Sequence, residues 1–503
     1  MLRSFSGSVL SGGRAWLACV LLLCCVQTAR QIYTARTDAQ TFDEGLHLAA
    51  GSTFLKTGEY RLDREHPPLA RVLYALPLLW MNADLKLETP EGAIERGRAI
   101  LFGQRALTPG DVLFPARCIT IGFTLTLALA LAFWMRARFT PVAALIAVFL
   151  FTLDPNIAAL GHYVGTDFAA VLGAFLAVIA FERLCRTGAW LDVLWAGLAL
   201  GFALSVKFST LFLLPVLALL WVLRGRTPRA FAILPIAWLV VYASYGGHLR
   251  YGEDLRFLMR HMAGGHPSYL LGIIRERGVW YYFPVVFAVK TPLAALLLLL
   301  FVRRPSRDWL VLLIPVSVYW AICLNSGLNI GLRHLLPVYP FTYALIGAGV
   351  AHWRRPLLAL GALLVVESAL IFPYDLSFFN VAAGGAAHGR ALLLDSNLDW
   401  GQDLIRAKEY FGARSGNVCL CYFGTADQTY YGFPTKVTPT NEMLRAGERA
   451  ECRYVAISVT LLEGVYQPRE WYAWLRERTP VARIGYSILV YDVGDVAQPA
   501  NVF

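Results

Sequence analysis

The chain has 503 residues, of which 57% are hydrophobic and 16% are charged, with a formal net charge of +11. This composition excludes an ordinary soluble protein, because apolar runs of about 18 or more residues recur along the chain. The arginines are dispersed in short loops between these runs, which argues against binding to nucleic acid. The sequence therefore predicts an integral membrane protein.

Predicted membrane-spanning helices account for most of the chain before residue 374. The N-terminus, with Arg3 and Arg14 before an apolar run, resembles a signal sequence. No convincing small-residue cleavage site lies near Thr28, so we expect a retained first helix. A spanning length of about 20 residues gives roughly eleven helices. They are predicted at residues 14–33, 115–135, 139–154, 162–184, 189–206, 208–224, 229–247, 284–302, 307–324, 335–352 and 356–373.

Basic residues in alternate short loops predict the orientation of these helices. By the positive-inside rule, those loops face the cytoplasm together with the N-terminus. The longer loops 34–114 and 248–283 then face outward, in a bacterial inner membrane or a plasma membrane. The basic residues concerned are Arg3, Arg14, Arg136, Arg138, Arg183, Arg186, Arg224, Arg226, Arg229, Arg303, Arg304, Arg307, Arg354 and Arg355.

After about residue 374, short apolar stretches alternate with helical patterns. The apolar stretches are 391–394, 418–423, 454–459 and 487–491, and the helical patterns are 401–411 and 470–478. Strands separated by helices predict a small α/β domain. The predicted fold is therefore mainly α: a polytopic helix bundle (1–373) whose first outer loop (34–114) is catalytic and holds interfacial helices. A periplasmic or extracellular α/β domain (374–503) follows it.

Asp43 and Glu44 lie near the start of the first outer loop. A carboxylate in a loop packed on an apolar bundle is suited to act as general base for an incoming hydroxyl. Its neighbour can tune its pKa or hold a ligand. The alternative is that Asp43 caps a helix through residues 45–55. The other ionisable groups of the same loop favour the catalytic interpretation.

A second cluster at residues 64–71 contains Glu65, His66 and Arg71 around a proline pair. The two prolines fix the direction in which a helix over residues 69–80 begins, at the interface or re-entering the membrane. One interpretation is an anion site for a phosphate headgroup. The other is an interfacial helix whose arginines extend to the lipid headgroups.

Other charged residues lie at predicted outer ends of apolar helices. Lys207 lies between two apolar runs with almost no loop. A charge this close to the membrane interior is costly, so it predicts a functional residue. On the outer face it suits a phosphate, with snorkelling to the interface as the alternative. Arg333 and His334 occupy an equivalent helix end. Asp167 opens the fourth helix, where it could bind a sugar hydroxyl or act as a first-turn acid.

The segment 395–403 contains three acids and two amides after a predicted strand. These groups could bind calcium or a sugar acceptor, or they could cap a strand-to-helix turn, which is more common. Cys419 and Cys421 point to opposite faces of one predicted strand. Cys452 could bridge to one of them outside the cytoplasm. No zinc-binding spacing occurs in the sequence, and no cofactor is predicted.

Together these motifs resemble those of a group of membrane enzymes. The acidic pair followed by Glu65-His66-Pro67-Pro68-Leu-Ala-Arg71 resembles the first outer loop of protein O-mannosyltransferases, which carry an acidic pair and a His-Pro-Pro-Leu motif. Thr166-Asp167, the Lys207 junction and the segment 333–340 are similar to the broader bacterial group, which includes aminoarabinose transferases acting on lipid A. All are glycosyltransferases of the C fold that use polyprenyl-phosphate sugars. The resemblance covers most of residues 14–373.

The resemblance implies transfer of a sugar from a polyprenyl-phosphate donor to an acceptor hydroxyl on the outer face, with inversion at the anomeric carbon. It implies that Asp43 is the catalytic carboxylate facing the acceptor hydroxyl, and that Glu44 beside it is a second catalytic residue. The candidate ligands of the donor phosphate are Lys207, Arg333 and Arg71. The further candidate substrate-binding residues are Glu65, His66, Asp167 and His334.

The expected partners are the lipid-linked donor, membrane lipids and a glycan, lipid or protein acceptor. The alternative function is a lipid-linked sugar flippase or transporter, in which Lys207, Arg333 and Asp167 line a translocation path. That alternative predicts inverted repeats and charges near the middle of the bilayer. We find no internal repeat in the sequence and no charge at the middle of a predicted span apart from Glu367, which lies near an outer end.

Overall fold

The computed structural model describes residues 13–88, 92–302, 307–448 and 450–494. The chain is mainly helical and carries a small sheet near its C-terminus. Apolar runs form helices here because a helix satisfies its backbone hydrogen bonds within one segment. Among the loop arginines used to predict orientation, Arg3, Arg303 and Arg304 lie outside the described residues.

The first outer loop is largely helical, and the first of its three helices packs closely on the other two. A Cβ atom at Gly51 would lie 2.0 Å from the Arg71 carbonyl oxygen, and one at Gly97 would lie 2.4 Å from that of Gly45. Only glycine therefore permits these helix crossings. Whether the helices lie at the membrane interface stays a prediction. The first helices are α1 (Gly13–Thr37), α2 (Glu44–Thr57), α3 (Leu69–Trp80) and α4 (Ala93–Phe102).

Most of the remaining helices up to residue 371 contribute to one large apolar core. They are α5 (Pro109–Arg138), α6 (Pro141–Leu153), α7 (Pro155–Leu160), α8 (Thr166–Thr187), α9 (Trp190–Val206), α10 (Leu213–Arg224), α11 (Ile233–Ser244), α12 (Tyr251–Ala263), α13 (Tyr282–Lys290), α14 (Leu293–Leu299), α15 (Leu310–Leu324), α16 (Tyr339–Val350) and α17 (Arg354–Ile371).

Within the described residues, three helices are long and apolar enough to cross a membrane by themselves: α1, α5 and α8. A fourth candidate is the pair α13 and α14, which is bent by 110°. Several helices at predicted spans are shorter, such as α6 with 13 residues. The prediction of about eleven spans therefore stays a prediction, and the structure supports a few membrane-capable helices.

The bend between α13 and α14 is stabilised by side chains that bind the interrupted backbone. Pro292 follows the last turn of α13 and cannot donate to it. The Glu367 carboxylate accepts hydrogen bonds from the backbone amides of Leu293 at 3.1 Å and Val381 at 3.0 Å. The Asn380 side chain donates to the Thr291 carbonyl at 2.8 Å. These bonds replace those that a continuous helix would supply.

Arginines from three of the predicted cytoplasmic loops meet at one end of the bundle. The buried Glu182 carboxylate lies 3.1 Å from Arg138, 3.0 Å from Arg186 and 3.2 Å from Arg224. Asp308 lies 3.4 Å from Arg138 and 3.3 Å from Arg224. These loops therefore share one end of the molecule, while the side of the membrane that they face stays a prediction.

The C-terminal sheet has the strand order β3-β4-β6-β5, with β3 and β4 parallel and the other pairs antiparallel. A separate hairpin, β1–β2, lies in the 248–283 loop. The strands are β1 (Ser268–Leu270), β2 (Ile273–Arg275), β3 (Val418–Cys421), β4 (Tyr454–Ser458), β5 (Ala482–Ile484) and β6 (Ile488–Asp492). The helices of this region are α18 (Gly389–Leu392), α19 (Leu404–Phe411), α20 (Asn441–Arg445), α21 (Val459–Leu462) and α22 (Ala473–Arg476).

The structure corrects one prediction for the C-terminal region and supplies a disulfide partner. The prediction of a strand at 391–394 is wrong, because α18 ends at Leu392 and Leu393 makes only an isolated bridge to Leu270. A run of alanine and leucine this short does not distinguish strand from helix. Cys452 forms a disulfide with Cys419, with the two Cα atoms 5.7 Å apart. The bond joins β3 to the segment before β4.

Candidate active site

Asp43 and Arg333 form an ion pair although they are distant in the sequence. Nη1 of Arg333 donates to Oδ2 of Asp43 at 2.6 Å. Asp43 directly precedes α2, but its side chain makes no capping hydrogen bond. The structure therefore does not show the helix-cap alternative for Asp43. The side chains are 25% and 14% exposed, which leaves the pair within reach of a ligand.

Arg333 lies on a short turn that the C-terminal region supports. Oδ1 of Asn397 accepts from the Leu332 amide at 2.9 Å, and the guanidinium lies 4.7 Å from the ring centroid of Trp400. Gly331 has a φ of 132° there, and a Cβ atom on it would lie 2.6 Å from the Ser396 hydroxyl. Nε of Arg333 is buried without a hydrogen-bond partner among the described residues, so one donor remains for a ligand.

Carboxylates from three parts of the chain act on Arg333. Burial lowers the pKa of Arg333, but Asp43, Asp167 and Asp395 raise it, and the net shift is upward. Asp43 comes from the first outer loop, Asp167 from the first turn of α8, and Asp395 from the C-terminal region. The guanidinium is therefore held in its charged form, which a site for a phosphate requires.

Lys207 and Asp167 form a second ion pair in the same neighbourhood. Lys207 directly follows α9, where the helix ends in an extended residue. Burial lowers the pKa of His334 well below its ordinary value, and the cations Lys207 and Arg333 lower it further. His334 is therefore neutral, and its Nε2 is buried without a hydrogen-bond partner among the described residues.

Glu44 is fully buried and its carboxylate is saturated by donors. It accepts from Nε of Arg117 at 2.8 Å and from Nη2 at 2.6 Å. It also accepts from the backbone amides of Thr41 at 2.8 Å and Val164 at 2.9 Å. Arg117 donates in addition to the carbonyl of Ala39 at 2.8 Å. A two-pronged ion pair of this kind fixes the backbone that leads to Asp43.

The side chains predicted from the second cluster have different partners. Arg71 is buried, pairs with Asp63 at 2.8 Å and donates to the His66 carbonyl. Glu65 lies 3.5 Å from His261 of α12, and both side chains are exposed to a large extent. The ring of His66 packs edge-on against that of His47, with the centroids 5.4 Å apart. His66 also lowers the pKa of His334, the residue that follows Arg333 in the chain.

His47 of α2 completes this side of the site. Burial lowers the pKa of His47 to about 4, with a smaller lowering effect of the neighbouring His66 and an opposing effect of Asp43 included in that value. The ring is therefore neutral at pH 7, and its Nδ1 is buried without a hydrogen-bond partner among the described residues. The Asp43–Arg333 pair thus has unpaired ring nitrogens nearby, from His47 and His334. Buried polar atoms without partners indicate a place where a ligand binds.

The C-terminal region binds the backbone directly before Asp43. The amides of Ala39 and Phe42 donate to the carbonyls of Gln402 and Trp400, each at 2.9 Å. The Thr425 hydroxyl donates to the Phe42 carbonyl at 2.8 Å. The region therefore supports both Asp43 and Arg333, and we expect the geometry of the pair to depend on it.

The acids of segment 395–403 have separate partners. Asp395 accepts from the Tyr466 hydroxyl, and Asp403 binds Arg406 at 2.6 Å. Asp399 accepts from the Thr460 amide at 3.1 Å. Within the described residues, no group of three or more His, Cys, Asp or Glu side chains is arranged to hold a metal ion. The contacts favour the interpretation of this segment as a turn that links neighbouring parts of the chain.

We expect Asp399→Asn to remove a loss of stability that wild type shows between pH 5 and pH 8. Burial raises the pKa of Asp399 to about 8, although hydrogen bonds with Thr460 oppose the shift. The folded chain keeps a proton that the unfolded chain releases above about pH 4, so stability falls as pH rises, by at most about 1.4 kcal/mol per pH unit. The thermal unfolding midpoints of wild type and Asp399→Asn at three pH values measure this pH dependence. If the midpoints of the two proteins changed equally with pH, the raised pKa of Asp399 would be contradicted.

Sequence analysis missed Arg117 and Trp400 as parts of the site. A lone arginine inside the predicted apolar helix 115–135 was a usable signal, because charges in such helices are costly and need a partner. Trp400 gave no comparable signal, since its contact with Arg333 depends on how the C-terminal region folds against the bundle.

Comparison with known proteins supports this fold. Residues 102–244 match the family model of dolichyl-phosphate-mannose-protein mannosyltransferases. No curated protein sequence matches the chain. The crystal structure of ArnT from Cupriavidus metallidurans bound to undecaprenyl phosphate superposes with a TM-score of 0.54 at 13% identity, covering 95% of this chain and 99% of that one. Its apo form gives a TM-score of 0.54 at 14% identity, covering 96% and 99%.

This chain has the glycosyltransferase C fold. The resemblance predicted from the sequence is thereby confirmed, and the C fold extends over nearly the whole chain. The S. cerevisiae protein O-mannosyltransferase Pmt1-Pmt2 complex covers 49% of this chain and 34% of that chain, at 18% identity and a TM-score of 0.33. The family match and the apolar helices identify an integral membrane protein. The side that each terminus faces stays a prediction.

Proposed function

We propose that this protein transfers a sugar from a polyprenyl-phosphate donor to the hydroxyl of an acceptor. The observation that carries the proposal is the ion pair between Asp43 and Arg333, with Lys207 nearby. One site thus holds a carboxylate that can take a proton and two cations that can stabilise a phosphate. The C fold and the undecaprenyl phosphate bound to ArnT support a lipid phosphate as the leaving group.

In this proposal Asp43 takes the proton of the acceptor hydroxyl. The hydroxyl oxygen forms a bond to the anomeric carbon while the bond from that carbon to the phosphate oxygen breaks. The electron pair of that bond remains on the departing lipid phosphate, and attack from the opposite face inverts the configuration. Arg333 and Lys207 stabilise the charge that develops on the phosphate. Nε of Arg333 can bind the phosphate while Nη1 still orients Asp43.

The other predicted site residues take different roles. Glu44 positions the loop through Arg117 instead of reacting, and Arg71 holds residues 63–66 instead of the donor phosphate. Asp167 orients Lys207. We assign His66 and His334 as substrate ligands, whereas Glu65 pairs with His261 and has no role in the reaction.

We also propose the topology that the basic loops predict. The N-terminus lies in the cytoplasm, and the catalytic loop and residues 374–503 lie outside it. The positions of the catalytic loop and of residues 374–503 depend on each other, because the C-terminal region binds the backbone before Asp43 and the turn of Arg333. These two parts of the chain must therefore lie on the same side of the membrane. The Cys419–Cys452 disulfide supports an oxidising compartment for that side.

Replacing Arg333 tests the leaving-group role. We expect Arg333→Gln to lower kcat about 10²- to 10³-fold, since one electrostatic contact to developing charge has that effect. Arg333→Lys keeps the charge but loses the planar guanidinium group, so its kcat should lie between those of wild type and Arg333→Gln. The assay follows radiolabelled sugar from a polyprenyl-phosphate donor to product.

The exposed Arg445 supplies a matched control, because Arg445→Gln removes the same charge outside the site. Wild-type kcat in folded Arg333→Gln would contradict the role of Arg333. The same assay separates a transferase from a flippase, because a flippase moves the donor without breaking its bond to the sugar.

A further inference from the structure

A cavity in the C-terminal region has an arginine-rich lining. It has a volume of about 440 Å³ and lies beside strands β5 and β6 and the helices α18 and α22. No acidic side chain lines it within the described part of the chain. We call it the basic pocket. Its charged and aromatic lining residues are Arg390, Arg476, Arg478, Arg483, Tyr486 and Tyr491.

The positive charge of the basic pocket is only partly neutralised. Glu463 lies behind the lining, 3.4 Å from Arg390 and 3.3 Å from Arg469. Arg483 lies 4.4 Å from the ring centroid of Tyr486, a contact that leaves its charge in place. Among the described residues, no carboxylate forms an ion pair with Arg478 or Arg483. The guanidinium groups of the lining therefore outnumber the acids that act on them, Glu463 and Glu470.

Arg476 is held in the wall of the basic pocket. Its Nη1 donates to the Leu462 carbonyl at 2.5 Å and its Nη2 donates to the Arg469 carbonyl at 2.6 Å. Burial lowers the pKa of Arg476, and repulsion from Arg469 and Arg390 adds to that effect against the attraction of Glu463. The like charges thus destabilise one another, and an anion in the pocket would relieve the repulsion.

The basic pocket lies near the end of an apolar helix. The ring of Tyr486 contacts that of Tyr374, with the centroids 5.7 Å apart, and Tyr374 closely follows the end of α17. Near that end of α17, Leu370 is 79% exposed, as expected of a side chain that faces lipid. If α17 crosses the membrane, the pocket lies near the depth of the lipid headgroups.

We propose that the basic pocket binds a phosphate-bearing ligand whose body has the size of a glycerol or a sugar. Arginine forks bind phosphate oxygens two at a time, which suits a wall of guanidinium groups. The volume lies in the range of about 300–1,000 Å³ found for small-molecule sites, so a bare phosphate would leave most of it empty. Two sources share this chemistry: the headgroup of an anionic membrane lipid, and a soluble phosphorylated molecule.

The test uses the full-length protein in nanodiscs, with one probe for each source. Isothermal titration with glycerol 3-phosphate measures binding of a soluble ligand, in discs of phosphatidylcholine alone. Native mass spectrometry of discs that also contain phosphatidylglycerol measures retention of an anionic lipid. We expect the wild type to bind at least one probe, and the probe that binds identifies the source.

The variant for this test is Arg478→Gln/Arg483→Gln. Both side chains are exposed, so the fold should persist, and thermal unfolding checks this. Loss of two charge-assisted contacts should weaken binding at least about tenfold. The matched control is Arg414→Gln/Arg445→Gln, which removes the same charge from exposed positions outside the basic pocket. It should change binding less than twofold.

The proposal is supported if the wild type binds either probe and if the pocket variant, but not the control variant, loses that binding. The proposal would be overturned if the wild type bound neither probe. Equal weakening in the control would also overturn it, because binding would then follow net charge and not the pocket. A glycosyltransferase activity is not needed for either readout, so this proposal and the catalytic one can fail separately.

Discussion

Asp43→Asn is expected to lower kcat for sugar transfer about 10³-fold, within the 10²- to 10⁴-fold range of general base catalysis. Asparagine has nearly the same shape and can still accept the hydrogen bond from Arg333, so the site should keep its geometry. It cannot take a proton from the acceptor hydroxyl. KM for the donor should therefore change little, because the lost interaction belongs to the transition state.

The measurement is steady-state transfer from a radiolabelled polyprenyl-phosphate sugar, with donor and acceptor varied separately. Asp84→Asn is a suitable control, since Asp84 lies in the same loop with a side chain that is 54% exposed. Full turnover by a folded Asp43→Asn variant would remove Asp43 from the role of base. A fall in turnover that Asp84→Asn shares would point to damage of the loop.

Glu44→Gln is expected to destabilise the protein by about 3–5 kcal/mol, as removal of one partner of a buried ion pair does. Arg117 would keep its charge in a place where it is 1% exposed, with backbone carbonyls and one neutral amide oxygen in place of a carboxylate to bind it. The measurement is the thermal unfolding midpoint of purified protein in detergent. We expect a clear decrease relative to wild type.

The double variant Glu44→Met/Arg117→Met should be less destabilised than the two single variants predict by addition, because it removes both charges together. Additive losses would contradict the coupling of the pair. If Glu44→Gln melted at the wild-type temperature but lost transfer activity, Glu44 would have the catalytic role that the family resemblance implies. The proposal here predicts lost stability instead.

Sequence reasoning selected Lys207 and Arg333 as charges at the ends of apolar helices, and Asp43 as an acid in a loop rich in ionisable groups. A buried or interfacial charge is costly, so such positions stand out without any structure. The pairing of Asp43 with Arg333 was not visible in local sequence, because the partners are 290 residues apart. Only the packing of the bundle and the C-terminal region brings them together.

Other features had no sequence signal of sufficient strength. The loop before Asp43 is bound mainly through backbone amides and carbonyls, which any sequence carries. The run 284–302 has the composition of one helix, yet the structure bends there by 110° between α13 and α14. Pro292 marked that position, but the stabilising acceptor is Glu367, from a helix much later in the chain.

The most direct test of the catalytic account is an electron density map of this protein with a non-transferable polyprenyl-phosphate sugar bound. We predict that the donor phosphate contacts Arg333 and Lys207 within about 4 Å, the distance of a close ion pair. The anomeric carbon should then face Asp43 from the side opposite the phosphate. A donor whose phosphate lies away from both cations, with Asp43 far from the anomeric carbon, would contradict the account.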